Sequence, residues 1–199
     1  KNLLNKIKNN PVKYKLTHNF DVLHQDVHNF SKLPSNIDAI TTQALLDLTS
    51  KLWLNQFSDW LAKHRLPMLA ALSVNGVIEP SISDPLDKKI FDAFKHHQTW
   101  DRGFGPSVGI NAPKEISKLL RKKGFIVQTS QSNWIIKQKH HTMITEMLNG
   151  IASAAIDSIL DVGGNQKDVK EWLKRRLKQI GSLELKIGHI DVLALPNSI

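Results

Sequence analysis

The segment His97–Gly105 carries the most varied side-chain chemistry in the sequence. Its residues, HQTWDRGFG, bring an imidazole, an amide, a carboxylate, a guanidinium and two aromatic rings next to two glycines. Such a set of groups suits a loop that holds a polar substrate. A loop stabilised by its own hydrogen bonds, in which Asp101 caps the turn or pairs with Arg102, explains the same residues equally well.

A second polar cluster, Gly188-His189-Ile190-Asp191, interrupts an otherwise apolar run. Inward-facing polar side chains that are hydrogen-bonded inside the fold account for this pattern. The nine histidines do not predict a metal site, because the adjacent pairs His96-His97 and His140-His141 point in different directions on a helix. A His-Glu-x-x-His spacing and cysteine are both missing from the sequence, so we expect no bound metal.

Glycine positions limit the kinds of cofactor loop that the sequence can form. The first glycine is Gly76, and the glycines of Gly103–Gly109 follow no predicted strand and are interrupted by Pro106. The run Ile159–Asn165 has an acidic residue before a glycine pair, as in some cofactor loops. A helical apolar stripe leads into it, however, so we predict a helix C-cap at Gly163-Gly164. No Gly-x-Ser-x-Gly elbow supports a serine hydrolase.

Hydrophobic spacing predicts an alternation of strands and helices around these segments. Five strands are expected, at 20–25, 38–42, 67–73, 125–136 (with a polar break) and 183–195. Five helices are expected, at 44–65, from Asp84 or Asp87 to about Trp100, and at 112–123, 141–160 and 169–180. This order is that of an α/β protein, and one open sheet covered by helices is its simplest architecture.

Two details of the predicted sheet can be checked directly. The apolar run Met68–Leu72 has the pattern of a parallel strand that is buried on both faces. The dipeptide Asn75-Gly76 predicts a tight hairpin turn. We therefore expect a single domain over residues 1–199, with a helical and hairpin insertion at about 74–111.

Composition excludes several classes of protein. Of the 199 residues, 41% are hydrophobic and 23% charged, which is typical of a folded domain. Without cysteine, disulfides and thiolate chemistry are excluded, and we expect a cytoplasmic protein. The longest uncharged apolar stretch, Leu66–Val74, is short for a membrane span, so no membrane partner is expected. The formal charge of +9 permits nonspecific contact with nucleic acid, although solvated helix faces also explain the lysines.

Four groups of residues together resemble a known family. They are Thr42–Ser50 with Trp53-Leu54, His97-Gln98 with Asp101–Gly105, Trp172-Leu173 with Arg175-Arg176, and Gly188-His189 with Asp191 and Ala194–Pro196. In this spacing they resemble the second half of bacterial class I S-adenosylmethionine-dependent methyltransferases, over residues 15–196. The resemblance implies a Rossmann-like sheet, partial and present from its third strand onward, with a final antiparallel strand pair.

The resemblance also implies roles for individual residues. Asp26 and Val27 correspond to the position that contacts the adenine of S-adenosylmethionine. The three residues Thr41, Thr42 and Gln43 would line its sulfonium. On the acceptor side, His97 is a candidate general base with Asp101 as a second catalytic candidate, and Gln98, Arg102 and Phe104 would bind the substrate. The His97–Gly105 loop should lie over the carboxyl ends of the parallel strands, with Asp26 and Thr42 opening on the same crevice.

The family's first strand and its acidic-glycine loop have no counterpart in this sequence. We therefore interpret the chain as an amino-terminally truncated methyltransferase, with an unknown methyl acceptor, that binds S-adenosylmethionine weakly or not at all. The alternative is a non-catalytic basic module that binds RNA or an acidic protein. No nucleic-acid motif with interleaved aromatic residues supports that alternative.

Overall fold

The computed structural model describes residues 25–28, 30, 33 and 36–197. Contacts between Cα atoms divide the chain into two compact units, residues 1–35 and 36–199. The expected strand at 20–25 lies outside the described residues, except for Gln25. The second unit contains all the strands and helices described below.

The second unit is a mixed α/β fold. Its five strands are β1 (Ile40–Gln43), β2 (Met68–Pro80), β3 (Phe125–Gln131), β4 (Trp134–Ile136) and β5 (Leu185–Pro196). Its α-helices within residues 36–197 are α1 (Lys51–His64), α2 (Asp87–His97), α3 (Ala112–Lys122), α4 (His141–Ser158) and α5 (Gln166–Lys178). Three short 3-10 turns join them, at Leu46–Leu48, Gly109–Asn111 and Ile159–Val162.

The last strand lies inside the sheet and runs against its neighbours. The strand order is β1-β2-β5-β3, with β4 paired to the first part of β5. Strands β1 and β2 are parallel, with Ile40 opposite Met68, whereas β5 is antiparallel to β2, β3 and β4. The predicted antiparallel arrangement of the final strand is therefore confirmed.

The connection between the two parallel strands defines one edge of the sheet. Helix α1 begins after β1, with the Ser50 hydroxyl accepting from the Trp53 backbone N–H, and it ends before β2 at Arg65, which has a φ of 52°. Because β2 runs parallel to β1, α1 must return along the sheet, so its first turn lies at the carboxyl end of β1. The last residues of β1, Thr41–Gln43, and the segment Ala44–Ser50 that follows them are together called the carboxyl edge from here on.

Strand β2 corrects two of the predictions. The hairpin predicted at Asn75-Gly76 is wrong, because β2 continues from Met68 to Pro80 and pairs with β5 on both sides of that dipeptide. The pairing contains two register shifts, typical of β-bulges, and Gly76 has a φ of 81°. Burial on both faces is also wrong: Met68 is buried, but Leu69 is 41% exposed.

The bulged part of β2 folds tightly over β5. A Cβ atom on Gly188 would lie 2.1 Å from Asn75 Oδ1 and 2.6 Å from the Val77 Cβ. Only glycine fits at this crossing, because any side chain would collide with the opposite strand. The bulge and Gly188 therefore fix the position of the residue that follows, His189.

The helices α2, α4 and α5 form a core with the first half of β5. Trp172 of α5 is fully buried and meets the Phe91 ring edge-on at 6.0 Å. By length and composition alone, the stretch His141–Val162 could cross a membrane, and 44% of its apolar 18-residue window is buried inside the protein. The predicted C-cap is confirmed, because Gly163 has a φ of 71° and the Gly164 N–H donates to the Ile159 carbonyl at 2.9 Å.

Candidate functional site

The loop after α2 is fastened to the carboxyl edge. The Val108 N–H donates to the Thr49 carbonyl at 2.8 Å, and the Ser107 hydroxyl donates to the Leu48 carbonyl at 2.8 Å. A bridge also joins Ser50 and Ser107. The loop therefore lies at the end of the sheet where open α/β folds place their ligands.

Asp101 organises the tip of this loop. Its Oδ1 accepts from the backbone N–H groups of Gly103 at 2.7 Å and Gly105 at 2.9 Å. Both glycines have positive φ, 96° and 83°, so the turn depends on them. The carboxylate thus has the capping role that the self-stabilised alternative describes, and its predicted catalytic role stays a prediction.

His97 is held by two charged groups. Its Nδ1 lies 2.8 Å from Arg102 Nη2, and its Nε2 lies 3.6 Å from Asp157 Oδ2 on α4. Burial lowers the pKa of His97, and Arg102 and His96 lower it further, against the opposing effect of Asp157. Arg102 thus contacts His97, whereas the alternative paired it with Asp101.

The other two predicted substrate residues face different surroundings. Gln98 Oε1 is buried and has no hydrogen-bond partner among the described residues. Phe104 meets the Trp53 ring edge-on at 5.7 Å. It also lines an open cleft of about 540 Å³, whose walls are formed by the first turn of α1, the loop and the start of α3.

The predicted cofactor residues fall in both units. In β1, Thr41 and Gln43 are exposed, while Thr42 Oγ1 is buried without a hydrogen-bond partner in the described part of the chain. In the first unit, Asp26 Oδ1 accepts from the His28 backbone N–H at 3.0 Å, and Val27 is 45% exposed. The convergence of Asp26 with Thr42 stays a prediction.

Sequence reasoning did not assign Asp47, which lies on the carboxyl edge. The side chain is buried, and its Oδ1 has no hydrogen-bond partner within the described ranges. Burial raises the pKa of Asp47, while a hydrogen bond with its own backbone and the nearby His189 lower it. A predicted helix from Ala44 would have exposed this position, but the 3-10 turn Leu46–Leu48 turns it inward.

His189 of β5 lies close enough to Asp47 for the charges of the two side chains to interact, although no ion pair or hydrogen bond joins them within the described residues. It is 5% exposed, and its Nδ1 has no hydrogen-bond partner among the residues that the structure describes. Burial lowers the pKa of His189, against the opposing effects of the Ile187 backbone and the carboxylates of Asp191 and Asp47. These two residues are called the Asp47–His189 pair below.

Neighbouring residues fix the backbone and ring of His189. Its N–H donates to Asn133 Oδ1 at 3.1 Å, and its carbonyl accepts from the Ser132 N–H at 3.0 Å. The Trp134 ring lies 4.9 Å from the imidazole, centroid to centroid. The ring is therefore rigidly placed although one of its nitrogens is unpartnered.

Asp191 shows the behaviour that the sequence predicted for the whole Gly188–Asp191 cluster. Its Oδ1 accepts from the Leu72 backbone N–H at 2.9 Å and from the Ser132 hydroxyl at 2.7 Å. Leu72 has a φ of 55°, so this carboxylate holds a strained residue of the bulge. The prediction of satisfied polar residues is thus correct for Asp191 and wrong for His189.

Within residues 25–28, 30, 33 and 36–197, no group of three or more His, Asp or Glu side chains could hold a metal ion. The arrangement at the carboxyl edge can instead accept hydrogen bonds and protons. The unpartnered atoms available for this among the described residues are Thr42 Oγ1 and Asp47 Oδ1 on the carboxyl edge, Ser73 Oγ on β2, Gln98 Oε1 at the end of α2 and His189 Nδ1 on β5.

Comparison with known proteins leaves the family open. No family model matches the chain, and no curated protein matches it. Among solved structures, it is similar to one assigned as a sarcosine dimethylglycine methyltransferase from Galdieria sulphuraria, at 16% identity and a TM-score of 0.38. The match covers 97% of this chain but spans only 65% of that protein. Similarity at this level carries no argument about function.

Proposed function

We propose that this chain is the second half of a methyltransferase that transfers a methyl group from S-adenosylmethionine to a small polar acceptor. The observation that carries the proposal is the sheet: a parallel β1–β2 pair joined to a central, antiparallel final strand. The motif resemblance implies an antiparallel final strand, although not its central position, and the four motifs lie on the elements of this sheet. Buried, unpartnered polar atoms at the carboxyl edge support a ligand site there.

The residues of the carboxyl edge fit one end of the cofactor. When bound, S-adenosylmethionine supplies an electrophilic methyl group on a charged sulfur. The unpartnered Thr42 hydroxyl, with Thr41 and Gln43 beside it, would contact that end. In the part of the chain that the structure describes, no glycine turn follows a strand at this edge, so the affinity expected of this chain alone is weak.

The acceptor side is built from the loop after α2. Asp101 sets the shape of that loop through Gly103 and Gly105. The cleft beside Phe104 is open enough for a small molecule and is lined mostly by apolar atoms. We place Gln98, Arg102 and Phe104 on the acceptor side, and we place the activity in the cytoplasm.

Nuclear magnetic resonance with millimolar S-adenosylmethionine tests the cofactor assignment. We expect chemical-shift changes at Thr42 and Gln43, their loss in Thr42→Val, and their retention in Thr41→Val, which alters an exposed neighbour. If no concentration of S-adenosylmethionine causes chemical-shift changes at the carboxyl edge, the proposal is contradicted. Tight binding that survives Thr42→Val would place the cofactor elsewhere.

A second candidate, nonspecific binding of nucleic acid, is favoured by the basic surfaces of α3 and α5. Helix α5 carries Lys167, Lys170, Lys174, Arg175 and Lys178, with exposed side chains among them. The affinity of the chain for nucleic acid should fall steeply with added salt, because binding releases cations from the phosphates and added salt opposes that release. Sequence-selective binding at physiological salt would instead favour a non-catalytic nucleic-acid-binding module over methyl transfer.

A further inference from the structure

The Asp47–His189 pair is the strongest site that the motif resemblance leaves without a role. Both side chains are more than nine-tenths buried, and each has one polar atom without a partner among the described residues. A buried polar atom that makes no hydrogen bond costs about 1–3 kcal/mol, so two together are unusual in a structural role. Bulges next to active sites commonly aim a side chain, and His189 follows the Gly188 crossing.

We propose that the Asp47–His189 pair is a proton-accepting site in which Nδ1 of His189 removes the proton from an amine N–H or hydroxyl O–H of the methyl acceptor. This inference rests on the proposed function and narrows it, since an acceptor without such a proton requires no base. The acceptor class is therefore amines and alcohols.

The proton transfer balances within the pair. The N–H or O–H bond of the acceptor breaks and its electron pair stays on the acceptor atom, which becomes the nucleophile. The lone pair of His189 Nδ1 forms the new N–H bond, and the ring becomes an imidazolium. The negative charge of the Asp47 carboxylate stabilises the imidazolium, and the proton then leaves to solvent.

Three observations favour His189 over His97 for this step. A guanidinium can only donate, and Arg102 Nη2 lies 2.8 Å from Nδ1 and 3.3 Å from Nε2 of His97, so a cation already contacts both ring nitrogens of His97. The Nε2 of His97 also faces Asp157. The Nδ1 of His189, in contrast, has no partner in the described ranges. Burial lowers the pKa of both histidines, so it is the unpartnered nitrogen that distinguishes His189.

Charges that act on His189 come from two elements. Asp47 belongs to the 3-10 turn on the carboxyl edge, and Asp191 belongs to β5, and both raise the pKa of His189 against the effect of burial. Asp191 already accepts from Leu72 and Ser132, so it is a positioning residue. Asp47 has a free oxygen and can respond to the charge of the ring.

The tautomer and pKa of His189 test the proposal directly on the isolated chain. In ¹⁵N-labelled protein, the signal of His189 is assigned by its loss in both His189→Asn and His189→Gln. We expect a neutral ring with an unprotonated Nδ1 and a pKa below the ordinary histidine value. The isosteric Asp47→Asn should lower the His189 pKa further, because a charge that raises it is removed.

Asp157→Asn is the matched control, since that carboxylate faces His97. It should lower the pKa of His97 and leave His189 unchanged. A neutral ring that carries its proton on Nδ1, or a His189 pKa that Asp47→Asn does not move, would overturn the proposal. Both measurements are independent of methyl transfer.

In the methyl-transfer assay, His189→Asn should reduce kcat for N–H and O–H acceptors by about 10²–10⁴-fold and leave S-adenosylmethionine binding unchanged. An equal loss of cofactor binding would show that His189 acts structurally, and this too would overturn the proposal. If millimolar S-adenosylmethionine causes no chemical-shift changes at the carboxyl edge, the proposed function fails, while the tautomer and the pKa still decide whether the pair accepts protons.

Discussion

Asp87 and Asp47 are both carboxylates in the interior of the second unit, but only Asp87 has a full set of partners. Asp87 accepts from the buried guanidinium of Arg176 and from Trp172 Nε1 at 2.8 Å. Asp47 has an oxygen with no partner within the described residues. The first carboxylate joins α2 to α5, and the second lies at the carboxyl edge.

The surroundings of Asp87 form a nearly complete network, called the α2–α5 ion cluster here. Arg176 also donates to the Ile82 carbonyl and to Gln179 Oε1, and only its Nε has no partner in the described part of the chain. Next to it, Arg175 binds Asp84 through two nitrogens, at 2.6 and 2.8 Å. Such a network is typical of a structural joint between helices.

The difference teaches how to separate structural from functional polar groups in one protein. A satisfied network stabilises the native packing, so breaking it should cost stability. An unsatisfied pair already lowers the free energy of unfolding. A substitution that removes its buried charge should therefore raise the free energy of unfolding and impair only function. The following predictions test this contrast.

The largest expected effect is from Arg176→Met. It leaves the Asp87 carboxylate buried without its cation, which typically costs about 3–5 kcal/mol of the free energy of unfolding. Urea unfolding measures this loss. Because Asp87→Asn removes the orphaned charge, the double variant Arg176→Met/Asp87→Asn should recover part of the stability, and a double variant as unstable as the sum of both singles would contradict the account.

The sequence predicted the elements of the α2–α5 ion cluster better than those of the Asp47–His189 pair. Helical periodicity predicted α5 at 169–180, close to the observed Gln166–Lys178, because it packs with a regular apolar stripe. The carboxyl edge has no such period. The β2 bulges depend on pairing with β5, more than 100 residues away in sequence, so local patterns predicted a hairpin there. They also extended the helix back to Ala44, where the structure has the 3-10 turn Leu46–Leu48.

Asp47→Asn should stabilise the protein. Burial raises the folded pKa of Asp47 above its ordinary value of 3.8, so the charged form costs stability at every pH above that value. Removing the charge should add roughly 0.5–2 kcal/mol near neutral pH. In urea unfolding, the gain should disappear in acid, where wild-type Asp47 is protonated in both states. A loss of stability at neutral pH would show that Asp47 is a structural residue.

The two regions should lose stability in different pH ranges. The folded pKa of His189 lies below its ordinary value of 6.5, so folding disfavours protonation and stability falls as the pH drops below 6.5. The folded pKa of Asp84 is lowered chiefly by Arg175, so its contribution is lost only as the pH falls below 3.8. Between pH 3.8 and 6.5, the plot of Tm against pH should be flatter for His189→Asn than for the wild type. For Asp84→Asn, the slope of that plot should be unchanged. His97 acts in the same direction as His189, whereas Asp47, whose folded pKa is raised, acts in the opposite direction, so each variant is judged by its change in slope relative to the wild type.

The smallest effect on global stability is expected at the tip of the loop. Asp101 is exposed, and its side-chain hydrogen bonds to the described residues lie within its own turn, so Asp101→Ala should change the free energy of unfolding by about 0.5 kcal/mol or less. The amides of Gly103 and Gly105 should nevertheless exchange faster with solvent, because each loses its acceptor. Asp92→Ala is the matched control, since Asp92 is half-exposed and, among the described residues, pairs with Lys88 of its own helix.

If Asp101 only shapes the loop, Asp101→Asn, whose amide oxygen can still accept both hydrogen bonds, should restore slow exchange and turnover together. Slow exchange without turnover would instead assign the carboxylate charge itself to the acceptor side.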